Sequence, residues 1–217
     1  MGSSISSTSL DKMVFKTYGF PKELSDIIGD AEKGFSMIVW GESGQGKSTF
    51  VAIICRMLTP FGKVYYNSVE QGHSKSLQSM IRHTNLHECG NNFIVGNKDT
   101  YEVMMKKISK NRCGFIVIDS AQALELTLAQ WKALREEFPN KAVIVISWAD
   151  GKNPDGKPAQ GMRFWSEIKV RVHRGQAFID SRYGGDPTFK IKGVYEKFIK
   201  AKIDEKKAES GQTELQL

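Results

Sequence analysis

The chain lacks the marks of several large protein classes. Its three cysteines, Cys55, Cys89 and Cys113, form no Cys-x-x-Cys pair and are odd in number. That pattern argues against a disulfide framework or a zinc site and suits reduced thiols in a cytoplasm. No run of about 18 apolar residues is present, so nothing reads as a membrane-spanning helix. The Ser-rich segment 1–12 has no apolar core of the kind a secretory signal needs. The four histidines, His73, His83, His87 and His173, show no metal-ligand spacing, and no internal repeat is visible.

What remains is an ordinary globular composition, with 40% hydrophobic and 25% charged residues. At 217 residues the chain reads as one domain. We expect it to occupy 13–203, with a disordered segment at 1–12 and a polar tail at 204–217. The net charge is +7, and residues 151–200 hold eleven Lys/Arg against five Asp/Glu. Most of the surplus therefore sits in the last third, where a basic face can attract nucleic acid or simply keep a surface solvated.

One motif stands out against this background. Gly41-Glu42-Ser43-Gly44-Gln45-Gly46-Lys47-Ser48 spells a complete phosphate-binding P-loop, followed by Thr49. It follows the apolar run 35–40 and opens the helix-compatible stretch 49–58, the strand–loop–helix context that the motif requires. The glycines let backbone N–H groups turn toward a phosphate, and the helix N-terminus adds a favourable dipole. Lys47 is expected to reach the β- and γ-phosphates of ATP, and Ser48 to hold Mg²⁺.

Strand-like runs alternate with helical patterns on either side of the loop. Strands are expected at 35–40, 63–69, 93–95, 114–119 and 142–146, with helices from Lys47 toward Pro60 and over 74–83, 101–110 and 126–138. Such alternation implies a parallel sheet covered by helices on both faces. The pattern then changes. Residues 150–160, punctuated by Pro and Gly, read as a long flexible loop, and 168–172 and 176–180 read as a hairpin turning at His173-Arg174-Gly175. Residues 188–191 would add a third strand to that antiparallel set.

Two carboxylates carry further chemistry. Asp119 ends a strand after four apolar residues, where nucleotide hydrolases keep an Asp for Mg²⁺ beside the P-loop Ser. The next residue is Ser120, so the Glu that many motor ATPases carry there is missing. Glu70, at the C-terminal end of the second strand, is the natural replacement, because parallel strands open their C-terminal ends onto the ligand crevice. A carboxylate there can act as base toward a water in line with the γ-phosphate.

Four stretches together resemble the RecA-type ATPase core, especially the small bacterial RadA and DnaB-like branch. These are the P-loop with Thr49, Ser68-Val69-Glu70, Val117-Ile118-Asp119-Ser120-Ala121-Gln122, and Asp180-Ser181-Arg182-Tyr183-Gly184. The resemblance covers about residues 30–192. It implies an α/β RecA-like P-loop NTPase with a mainly parallel central sheet flanked by helices and a C-terminal antiparallel hairpin extension. It further implies a homo-oligomeric ring or filament with ATP at subunit seams, and Arg182 as an arginine finger supplied in trans. Two departures accompany it: Asp180 stands where relatives keep a Lys, and Ser147-Trp148 stand where they keep a Gln or His that senses the γ-phosphate. The sensor role then falls to Gln122 or Ser147.

The stretch 150–164 occupies the place where RecA-like proteins present a DNA-binding loop. Lys152, Lys157 and Arg163 are expected to pair with phosphates, and Phe164 or Trp165 to stack on a base of single-stranded DNA. Trp40 and Trp131 read as core or interface residues. The leading expectation is therefore an ATP-hydrolysing motor core, cytoplasmic and bacterial or phage-encoded, acting in replication, recombination or repair. The alternative is a KaiC-like regulatory or scaffold ATPase acting on protein partners. A small-molecule kinase is disfavoured, since no Arg-rich lid or substrate-binding insert is evident.

Overall fold

A computed structural model of the chain describes residues 4–191. The expected tail at 204–217, and residues 192–203 of the expected domain, lie outside the described residues.

The apolar runs form a sheet because each has side chains that must be buried on both faces. Strands β1 (Ser36–Trp40), β2 (Val64–Ser68), β3 (Phe93–Asn97), β4 (Phe115–Asp119) and β5 (Ala142–Ser147) are all parallel where they pair. Alternate residues go to opposite sides, as the period of two requires. Met37, Val39, Val64, Tyr66, Phe115, Val117, Ile144 and Ile146 enter one core, whereas Ile38, Trp40, Tyr65, Ile116, Ile118, Val143 and Val145 enter the other. The first core is closed by α2 (Lys22–Ile28), α3 (Lys47–Leu58) and Leu77 of α4 (Lys75–His83). The second is closed by α5 (Tyr101–Asn111), α6 (Leu128–Glu137) and α7 (Lys157–Trp165).

Caps fix where these helices begin. Thr127 and Gln130 form a reciprocal capping box, which starts α6 at Leu128, two residues later than periodicity suggests. Ser74 and Thr100 cap α4 and α5 by accepting from Leu77 N and Val103 N. Within the segment expected to lack structure, Ser7–Asp11 forms a short helix, α1, with no buried residue.

The order across the sheet is β10-β9-β8-β1-β5-β4-β2-β3. Strand β8 (Ile168–His173) lies parallel to β1, and β9 (Gln176–Ser181) and β10 (Thr188–Lys190) extend the sheet antiparallel beyond it. The β8–β9 turn is Arg174-Gly175, both at positive φ, as a two-residue hairpin loop demands. The expectation for 150–160 also fails. These residues are not a long flexible loop. They fold into a small hairpin, β6 (Ala149–Asp150) with β7 (Asn153–Pro154), and then into α7. Pro158 sits in the first turn of α7, where its missing N–H costs nothing, so it starts a helix and does not mark a loop. Ala159 and Met162 anchor α7 in the second core.

Candidate active site

The P-loop connects the C-terminal end of β1 to α3. Gly44 and Gly46 take φ of 73° and 105°, a region closed to most side chains. Gly41 is needed for a different reason: a Cβ there would run into the carbonyl of Val172 on β8. Gly46 caps α3 without a side-chain hydrogen bond, which leaves the first-turn N–H groups facing the loop. The loop is also gripped from the hairpin side. Gln45 Oε1 accepts from Arg174 N at 2.5 Å, and its carbonyl accepts from Gly175 N at 3.2 Å. Glu42 supplies a carbonyl to Lys47 Nζ at 2.9 Å. Ser43 and Thr49 flank this arrangement, one in the loop and one in the first turn of α3.

The ends of the neighbouring strands converge on Lys47. Burial lowers its pKa from the ordinary lysine value, while the carboxylates of Glu70, Asp119 and Glu42 oppose that shift. Ser48 Oγ donates to Asp119 Oδ2 at 3.4 Å, joining residues 71 positions apart. Tyr66, from β2, donates its hydroxyl to the same oxygen. Asp119 is only 3% exposed, and burial raises its pKa above the usual carboxylate range. The charge of Glu70 adds to the rise, and Tyr66, Lys47 and Ser48 counter it. The Asp119–Ser120 peptide is cis.

Glu70 lies in the turn after β2, with its backbone N and that of Val69 both donating to Asp119 O at 2.9 and 2.8 Å. Its Oε2 accepts from Trp148 Nε1 at 3.1 Å. Gln122 and Ser147 are brought together, Gln122 Nε2 donating to Ser147 Oγ at 2.8 Å. Gln122 also donates to Asp155 O at 2.8 Å and accepts from Trp148 N at 3.1 Å. Both candidate sensors are thus tied to the residues that follow β5.

Arg182 is elsewhere. It follows the last residue of β9, where Ser181 pairs with Ile168 and Ile168 with Met37, at the end of the sheet opposite the P-loop. About five residues of strand, roughly 16 Å, separate that level from Gly41. The span exceeds the reach of an arginine side chain. Asp180 pairs with Lys169 at 3.6 Å on an exposed strand face.

The three expected DNA contacts do not share one loop. Lys152 sits at the exposed tip of the β6–β7 hairpin, and Lys157 opens α7, also exposed. Arg163 is engaged within the fold, lying 5.0 Å from the Trp40 ring centroid and donating to Asn153 Oδ1 at 2.7 Å. Phe164 and Trp165 are exposed. Tyr66 and Trp148, the partners of the two carboxylates, carry no site signal in the sequence. Tyr66 carried only a strand signal, and Trp148 registered only as a departure from a sensor residue.

A strand-order reversal beside β1, a P-loop at the C-terminal end of that strand and an Asp at the end of β4 define the architecture. The fold is that of the RecA-type P-loop ATPases. Among solved structures it is similar to a KaiC-like protein from the hyperthermophilic archaeon Pyrococcus horikoshii, with 15% identity and a TM-score of 0.52 over 83% of this chain and 89% of that one. It is similar as well to the flagellar accessory protein FlaH from Methanocaldococcus jannaschii, with 17% identity and a TM-score of 0.55 over 81% and 93% of the two chains. No family model matches the sequence, and a search of curated proteins finds no match. At these identities the likeness concerns the RecA-type fold alone. Among the described residues no helix is long and apolar enough to cross a membrane.

Mg²⁺ fits the donors present. Ser48 and Asp119 offer hard oxygen ligands beside the P-loop, and Mg²⁺ is commonly held by one or two such groups together with substrate phosphates. A buried carboxylate whose charge is opposed by desolvation is a group that a divalent cation relieves. Among the described residues no three His, Cys, Asp or Glu side chains converge into an all-protein metal cage.

Proposed function

We propose that the chain hydrolyses ATP at a site shared between subunits. The observation that carries this reading is the meeting of Ser48 and Asp119 beside Lys47, with Glu70 alongside. The loop N–H groups and Lys47 bind and orient the β- and γ-phosphates. Ser48 and Asp119 would hold Mg²⁺, which when bound neutralises charge on the β- and γ-phosphates. Glu70 takes the proton of the attacking water. Arg182, out of reach of its own P-loop, supports the reading in which it serves a neighbour's site. A head-to-tail contact of that kind generates a ring or a filament.

The partner reading divides. Exposed Lys152 and Lys157 and the basic surplus of the last third support action on single-stranded DNA. The engagement of Arg163 with Trp40 and Asn153 weakens the case for one expected phosphate contact, and the alternative is a KaiC-like ATPase acting on protein partners. ATPase assays decide both questions. Lys47→Ala should abolish turnover, and Glu70→Gln should keep ATP binding while stopping hydrolysis. Normal hydrolysis by Lys47→Ala would refute the assignment of turnover to this P-loop. Single-stranded DNA that neither stimulates turnover nor binds in a salt-dependent manner would leave the protein-partner reading.

A further inference from the structure

We propose that Trp148 is a positioning residue for Glu70, an inference that rests on Glu70 being the base. Trp148 is 43% exposed, so its ring is not there to fill a core. Its indole N–H instead reaches Glu70 Oε2 at 3.1 Å, across 78 positions of sequence. The Trp148 backbone is fixed from several sides. Its N–H donates to Gln122 Oε1 at 3.1 Å, and its carbonyl accepts from Ser147 Oγ at 2.8 Å and from Asp155 N at 3.0 Å. The donor therefore hangs from a fixed backbone through two torsions, while the acceptor is an exposed glutamate with three.

The chemistry suits the role. A general base must hold one oxygen toward the water it deprotonates. The indole is a donor only, so it neither competes for the proton nor replaces the base. A charge-assisted hydrogen bond to Oε2 orients Oε1 without neutralising the carboxylate. Trp148 follows β5, the position at which the resemblance leads one to expect a γ-phosphate sensor. Its side chain is instead spent on the carboxylate.

Trp148→Phe keeps an aromatic ring and removes the N–H. It should lower kcat about tenfold, the order expected for one hydrogen bond to a charged group, with KM for ATP within about twofold. In single-turnover assays on Glu70→Gln protein, the same substitution should cause no further loss, because both act through one carboxylate. The indole N–H resonance of Trp148, assigned by its disappearance in Trp148→Phe, should move when Glu70→Ala removes the acceptor. An unmoved resonance, or a kcat loss that persists in the Glu70→Gln background, would overturn the positioning role and leave Glu70 as base. Normal hydrolysis by Glu70→Gln would overturn both.

Discussion

Replacing Asp119 by Asn separates what the carboxylate costs the fold from what it does for a nucleotide. Asp119 is 3% exposed, and burial raises its pKa. Taking a carboxylate out of water costs several kcal/mol. The hydroxyls of Tyr66 and Ser48 and the nearby Lys47 return part of that. Asn keeps the shape and an oxygen that both hydroxyls can still meet. The gain from losing the charge should therefore be about 2 kcal/mol at pH 7 without nucleotide. For a domain of this size that is a rise in Tm of about 4–8 °C. The pH dependence follows from the direction of the shift. With the folded pKa raised, the favourable contribution of Asp119 is fully present below its unfolded pKa of about 3.9 and is lost as pH rises through the folded value. The two proteins should match in acid and diverge as pH increases. Saturating ATP and Mg²⁺ should reverse the order. At about 100 times Kd, ligand adds about 2.7 kcal/mol to the wild type and little to the variant. Thermal unfolding across pH, with and without Mg-ATP, measures all of this. A variant less stable than wild type at pH 7 without ligand would refute the reasoning, because the hydrogen bonds and Lys47 would then outweigh burial.

Two further substitutions test the frame of the site. Gly41→Ala places a Cβ against the Val172 carbonyl and should destabilise by about 1–3 kcal/mol, read as a lowered Tm; an unchanged Tm would mean that β1 and β8 can part at no cost. Glu167 accepts from Ser36 N and Oγ at 2.7 and 2.6 Å and pairs with Arg135 at 2.9 Å. Burial opposes its ionised form, yet these partners hold its pKa below the usual value. Its stabilisation is thus present above the unfolded pKa of about 4.3 and lost as pH falls through the lower folded value. Glu167→Gln should cost about 1–2 kcal/mol near neutral pH after solvent screening, and nothing in strong acid. A deficit that grows in acid would contradict that assignment.

The parallel strands were legible because burial on both faces writes a continuous apolar run, as in Phe115-Ile116-Val117-Ile118. The P-loop was legible because its glycines answer a backbone requirement that is local in sequence. Helix α2 was not, since its seven residues give only Leu24, Ile27 and Ile28 to the core, too few for a periodicity. Helix α7 was hidden by Gly156 and Pro158, which mark loops as often as helix starts. The contacts of Tyr66 with Asp119 and of Trp148 with Glu70 join distant strand ends, so no local pattern encodes them. The position of Arg182 at the far end of the sheet follows from the direction of the β8–β9 hairpin, which a motif alone does not carry.

The shared site is tested most directly by mixing two inactive variants. Lys47→Ala lacks a working P-loop but keeps Arg182, and Arg182→Ala has the reverse. If each site takes its P-loop from one subunit and its arginine from the next, random 1:1 mixing makes about a quarter of the interfaces complete. ATP hydrolysis should then return to about a quarter of the wild-type rate per site. A mixture as inactive as its components, or an Arg182→Ala protein that hydrolyses ATP normally alone, would contradict the shared site.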